Sequence, residues 1–61
     1  MEEKDKQYIE NNKDNNAKDV ATNFNNLAKK YGGPTTVSCF CKTAAYINYI
    51  NTFLTWYESY E

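Results

Sequence analysis

The stretch VSCFCKTAAYINYINTFLTWYESY, Val37 to Tyr60, decides the fold. It carries the only Trp, four of the six Tyr, two of the three Phe and both Cys. Wound as a helix at 3.6 residues per turn, it places Tyr46, Tyr49, Ile50, Phe53, Trp56, Tyr57 and Tyr60 on one apolar row. Val37, Phe40, Ala44, Ile47 and Leu54 form an adjacent second row. A narrow seam of Ala45, Asn48, Thr52, Thr55 and Ser59 remains. An ordinary surface helix has an apolar stripe only somewhat wider than ~100°. This helix therefore needs cover on at least two sides, and a single partner helix does not supply it.

The preceding segment is a plainer amphipathic helix over residues 17–31. Ala17, Val20, Ala21, Phe24, Leu27, Ala28 and Tyr31 follow a 3-4 spacing, while Lys18, Asp19, Thr22, Asn23, Asn25, Asn26, Lys29 and Lys30 occupy the other side. Asn15 or Asn16 is placed to cap its start. Its end has every stop signal: Lys29 and Lys30 at the negative end of the helix dipole, Gly32 for a left-handed cap, and Pro34 to bar continuation. With Thr35 or Thr36 as the next N-cap, Gly32–Thr35 becomes a tight turn between antiparallel neighbours. Tyr31 and Val37 would close that corner. A rival reading makes Thr35–Cys41 a strand, since Thr, Val and Phe favour strands. The helical period running on to Tyr60 argues for helix over 35–60.

Residues 1–16, MEEKDKQYIENNKDNN, form a polar N-terminal arm in which only Tyr8 and Ile9 are large and apolar. Acids in the first turn and a Glu2–Lys6 pair allow one short helix over 2–10. The expected fold is thus all-α: a helical hairpin with room for a short extra N-terminal helix. A chain of 61 residues is marginal as a monomer. The wide apolar face then points to assembly as a dimeric helical bundle, with the last helices central.

Composition excludes much. There is no His, and the net charge is −1 with no Arg. The acids lie in polar surroundings or near a terminus, so none reads as a tuned acid or base. Cys39 and Cys41 point to nearly opposite faces of a helix, cannot close a zinc site alone, and read as small buried apolar residues with free thiols. No catalytic residue, metal or cofactor is expected. No signal peptide is visible at the acidic N-terminus. Lys42, Asn48 and Asn51 interrupt the only stretch long enough to span a bilayer, so no membrane span is expected. Free thiols without a signal fit a reducing cytoplasm.

The expected function is a non-catalytic protein–protein interaction module, an adaptor or inhibitor of the sort phages and mobile elements often encode. Its binding face would be Tyr46, Tyr49, Ile50, Phe53, Trp56, Tyr57 and Tyr60, because Tyr and Trp are enriched in interface hot spots. The partner would be a second copy of the chain, another protein, or both. The alternative is DNA. The run LAKKYGGPTTVSCFCK, Leu27 to Lys42, resembles the turn of a helix-turn-helix module. That resemblance implies base or phosphate contacts from Lys29, Lys30, Thr35, Thr36, Ser38, Cys39 and Lys42. A further alternative follows from Gly32-Gly33 ahead of Pro-Thr-Thr-Val-Ser-Cys-Phe-Cys, which resembles a double-glycine leader joined to a modified-peptide core.

Overall fold

The structure, a computed structural model, describes residues 1–37 and 40–60. Three helices follow one another: α1 (Glu3–Asn11), α2 (Lys18–Tyr31) and α3 (Thr43–Glu58). No strand occurs among the described residues, and the all-α expectation holds.

Helix α2 forms as its pattern dictates. Val20, Ala21, Phe24 and Ala28 are buried, while Asp19 sits in the first turn and Lys29 and Lys30 in the last. Its start differs from expectation. Ala17 occupies the cap position with no side-chain hydrogen bond, and the Asn15 amide donates to Asn12 Oδ1 instead (3.2 Å). Its end is as expected. Gly32 adopts φ 76, and the Gly33 N–H reaches back to the Ala28 carbonyl at 2.8 Å, closing the last turn.

Helix α3 is shorter than the sequence pattern suggests. It begins at Thr43, not Thr35, with Lys42 at the cap position. The residues described between the helices, 32–37 and 40–42, cross as irregular chain in place of the expected tight turn, and none of them is in a strand. Three features hold this crossing. Pro34 and the β-branched run Thr35-Thr36-Val37 disfavour helix. The Asn25 side chain grips the backbone of Thr36 on both sides: its Nδ2 donates to the Thr36 carbonyl and its Oδ1 accepts from the Thr36 N–H, each at 3.0 Å. The Tyr49 hydroxyl donates to the Pro34 carbonyl at 2.7 Å. Within the crossing, Phe40 sits at φ 54. A non-glycine residue pays ~1–2 kcal/mol for that conformation. The return is a ring only 6% exposed, 5.6 Å from the ring of Tyr49.

The core supplies within one chain part of the cover that the aromatic row needs. Ile9, Phe24, Ile50 and Phe53 are the largest side chains wholly out of solvent, joined by Tyr49 and Tyr57. Phe24 stacks on Phe53 with centroids 4.4 Å apart, and Tyr8 sets its edge on Phe24 at 5.9 Å. Thus α2 covers one flank of the aromatic row, α1 covers another through Ile9, and the crossing covers a third through Phe40. One chain covers the centre of this row, Tyr49, Ile50, Phe53 and Tyr57, and leaves Tyr46, Trp56 and Tyr60 partly in solvent. What sequence reading treats as a polar arm is the missing cover. The second row is only partly enclosed: Ile47 and Leu54 are half-buried, and Ala44 and Val37 are exposed. Val37 does not close the corner with Tyr31, for its side chain stands free of the fold.

Candidate interaction surface

The expected binding face divides in two. Tyr49, Ile50, Phe53 and Tyr57 are committed to the core, Tyr46 and Trp56 are half-buried, and Tyr60 is 37% exposed. Of the accessible remainder, Trp56 and Tyr60 gather with a residue that the helical row did not include. Tyr31, the last residue of α2, meets Tyr60 edge to face at 6.2 Å. Tyr60 in turn meets Trp56 at 5.0 Å. Trp56 reaches the core through Phe53 at 5.5 Å. Three partly exposed aromatic rings therefore form a continuous patch anchored on a buried one.

Gly33 sets the floor of this patch. A Cβ there would stand 2.9 Å from Cδ2, Cε2 and Cη2 of Trp56. The indole lies directly over the glycine backbone, an approach that any other residue would obstruct. The glycine pair thus has two separate duties: Gly32 turns the chain, and Gly33 makes room. Only the first was legible as a sequence signal.

Charge is arranged around the patch as ties between helices. The Lys30 ammonium pairs with Glu2 and Asp5 of the N-terminal segment and lies 5.2 Å from the Tyr31 ring centroid. The Tyr31 hydroxyl donates to Asp5 Oδ2 and accepts from the Glu2 N–H. The Tyr31 hydroxyl, then Lys30, hold Asp5 below the usual carboxylate range. Lys30 does the same for Glu2 and is itself raised by Glu2 and Asp5. At the other end of α1 the Tyr57 hydroxyl donates to Glu10 Oε2 at 2.7 Å, and Lys13 pairs with the other oxygen at 3.1 Å. These contacts, the phenol first, lower Glu10 as well. Beside Tyr60, a cleft of about 260 Å³ opens between Met1, Lys6, Tyr57 and Tyr60.

The residues expected for DNA are dispersed in role. Lys29, Thr35 and Lys42 are exposed. Lys30 is engaged by two carboxylates, and both backbone polar groups of Thr36 are engaged by Asn25. Ser38 and Cys39 lie outside the described residues. A recognition helix opening at Thr35 or Thr36 is absent, because the helix there begins at Thr43. The thiol reading also changes. Cys41 is exposed and disulfide-bonded, neither a buried apolar residue nor a free thiol. The thiol argument for a reducing compartment falls with it. Among the described residues no helix is long and apolar enough to cross a membrane.

Comparison with protein-family models, with curated proteins and with solved structures finds no match to this chain.

Proposed function

We propose that this chain is a non-catalytic protein-binding module, an adaptor or inhibitor, that docks a protein partner through Tyr31, Trp56 and Tyr60. The observation that carries the reading is the contiguous, partly exposed patch of these three rings. Tyr and Trp offer large contact area with few rotors to immobilise, and they dominate interface hot spots. Here the rings are also pre-placed, since Trp56 is held between Phe53 and the Gly33 backbone. The neighbouring cleft at Met1, Lys6, Tyr57 and Tyr60 is of a size to receive one partner side chain.

The non-catalytic part rests on the ionisable groups. Among the described residues, every carboxylate with a clear shift is moved downward by a phenol or a lysine from another part of the chain. A base for chemistry near neutral pH needs the opposite shift. Cys41, in a disulfide, is no thiolate nucleophile.

The test is affinity capture with wild type, Trp56→Ala and Tyr60→Ala side by side. Tyr60 is exposed, so its truncation leaves the fold intact and removes the edge of the patch. The expected result is a specific protein captured by wild type and lost with Tyr60→Ala. Equal capture by all three would refute the assignment of the patch. Retention of duplex DNA at low salt, lost as salt rises, would favour a DNA-binding regulator using Lys29, Lys30 and Lys42. A mass by light scattering that exceeds one chain would identify the partner as a second copy.

A further inference from the structure

Helix α1 is attached differently from the other two. Helices α2 and α3 pack along their lengths with backbones close together, while α1 meets them through side chains. It has one wholly buried side chain, Ile9, which enters the cluster of Phe24, Ile50 and Phe53. Beside it the half-buried Tyr8 sets its ring edge on Phe24 and accepts a hydrogen bond from Asn23, and polar ties hold the two ends: Asp5 on the Tyr31 hydroxyl and Lys30, and Glu10 on the Tyr57 hydroxyl. A helix spanning only Glu3–Asn11 is too short to persist in water by itself. It is helical because it is docked. The joint to α2 is polar, running through Asn12 to Asn16; Asn12 bonds back to the Ile9 and Tyr8 carbonyls of α1, and the Asn15 N–H bonds to the Asn12 carbonyl.

We infer that the groove between α2 and α3 is a helix-binding site, occupied in this structure by the chain's own α1, and that it accepts in trans an acidic amphipathic helix of a protein partner. The inference stands apart from the aromatic-patch reading, whose test varies Trp56 and Tyr60. The chemistry of the occupant is written in the cis ligand. A central aliphatic side chain fills the hole that Ile9 fills. A carboxylate four residues before it meets Lys30 and the Tyr31 hydroxyl. A second carboxylate just after it meets the Tyr57 hydroxyl. Asp5 and Ile9 stand one helical turn apart, so both reach the groove from one face. The cis helix competes at the high effective concentration that a short linker imposes. The apparent affinity for a helix in trans therefore scales with the fraction of molecules in which α1 is undocked.

Two measurements on the full chain test this. In the first, a labelled peptide of residues 1–12 is titrated into wild type and into Ile9→Ala, with far-ultraviolet dichroism following the fold. Weakening the cis helix should tighten peptide binding at least tenfold over wild type. The same peptide carrying Asp5→Lys should bind at least fivefold more weakly. Equal affinity of the peptide for the two chains would overturn the site, and equal affinity of the two peptides would overturn its preference for acid. If Ile9→Ala does not fold, Asp5→Asn takes its place in the comparison. In the second, native-state hydrogen exchange on wild type should show the amides of α1 opening at denaturant concentrations that leave α2 and α3 closed. Exchange of all three helices in step would overturn the inference whatever the peptide does.

Discussion

Truncating Phe53 to alanine tests whether the aromatic row belongs to one chain. The ring is wholly buried, stacked on Phe24 at 4.4 Å and flanked by Tyr49 at 6.3 Å and Trp56 at 5.5 Å. Removing such a ring from a core costs about 3–5 kcal/mol, including the cavity it leaves. Loss of the stack with Phe24 places the value toward the upper end, since such pairs add roughly 0.5–1.5 kcal/mol beyond area. Domains are stable by roughly 0.05–0.15 kcal/mol per residue, so this chain has only about 3–9 kcal/mol in total. Phe53→Ala should therefore be largely unfolded without denaturant, or have its urea midpoint lowered by about 3 M or more, taking a slope of ~1 kcal/mol/M for so small a chain. Trp56 fluorescence and far-ultraviolet dichroism would follow the transition at protein concentrations a hundredfold apart. Because Phe53 and its buried neighbours Tyr49, Ile50 and Tyr57 are enclosed within a single chain, the wild-type midpoint should not move with concentration. A variant within 1 kcal/mol of wild type would refute the packing argument. So would a wild-type midpoint that climbs with concentration, since mass action would then place the ring between copies.

Three further predictions follow from particular contacts. Gly33→Ala should force the indole of Trp56 off the backbone; overpacking costs ~1–3 kcal/mol against a gain of about 0.4–1 kcal/mol from a stiffer unfolded chain, so thermal melts should show a net loss and Trp56 emission should shift toward that of a wetter ring. Acidification should destabilise the fold selectively at α1. Glu2, Asp5 and Glu10 are held below their ordinary values, so the stability they confer is complete above those values and disappears as pH falls through the lower folded ones; urea midpoints from pH 6 downward should decline, and Asp5→Asn should flatten the decline. At the alkaline end, burial pushes the Tyr49 phenol up to about 12, so the stability linked to its protonated form is whole below pH 10 and is lost between about 10 and 12; Tyr49→Phe should remove that dependence when midpoints are compared across the same range.

Much of the scaffold was readable from residue order. The 3-4 spacing from Ala17 to Tyr31 and the Gly32–Pro34 stop signal marked α2, because period and end chemistry agree there. The apolar row of α3 was also visible, since Tyr49, Ile50, Phe53 and Tyr57 repeat at helical spacing. The beginning of α3 was not. Val37, Phe40 and Ala44 continue the helical period by coincidence, and only the grip of Asn25 on Thr36 and the buried ring of Phe40 show that the chain is doing something else there. Of the candidate site, Trp56 and Tyr60 were named in advance. Tyr31 was placed in the apolar stripe of α2, with no signal of its pairing to Tyr60. The space under Trp56 is a distance between elements, which a glycine in a turn does not announce.

Local order along the chain therefore determined that this protein is helical, where α2 lies, and that its last third is more apolar than one neighbour can cover. Tertiary structure alone decided what provides the cover. Ile9 is a single aliphatic residue in a polar segment, and no periodicity distinguishes it. Its burial depends on Asp5 and Glu10 finding phenols and a lysine far along the chain, at separations where sequence pattern carries no information about distance. Whether the aromatic row faces water, another copy or its own N-terminus is set by those long-range contacts, and in this fold they turn its centre, Tyr49, Ile50, Phe53 and Tyr57, inward.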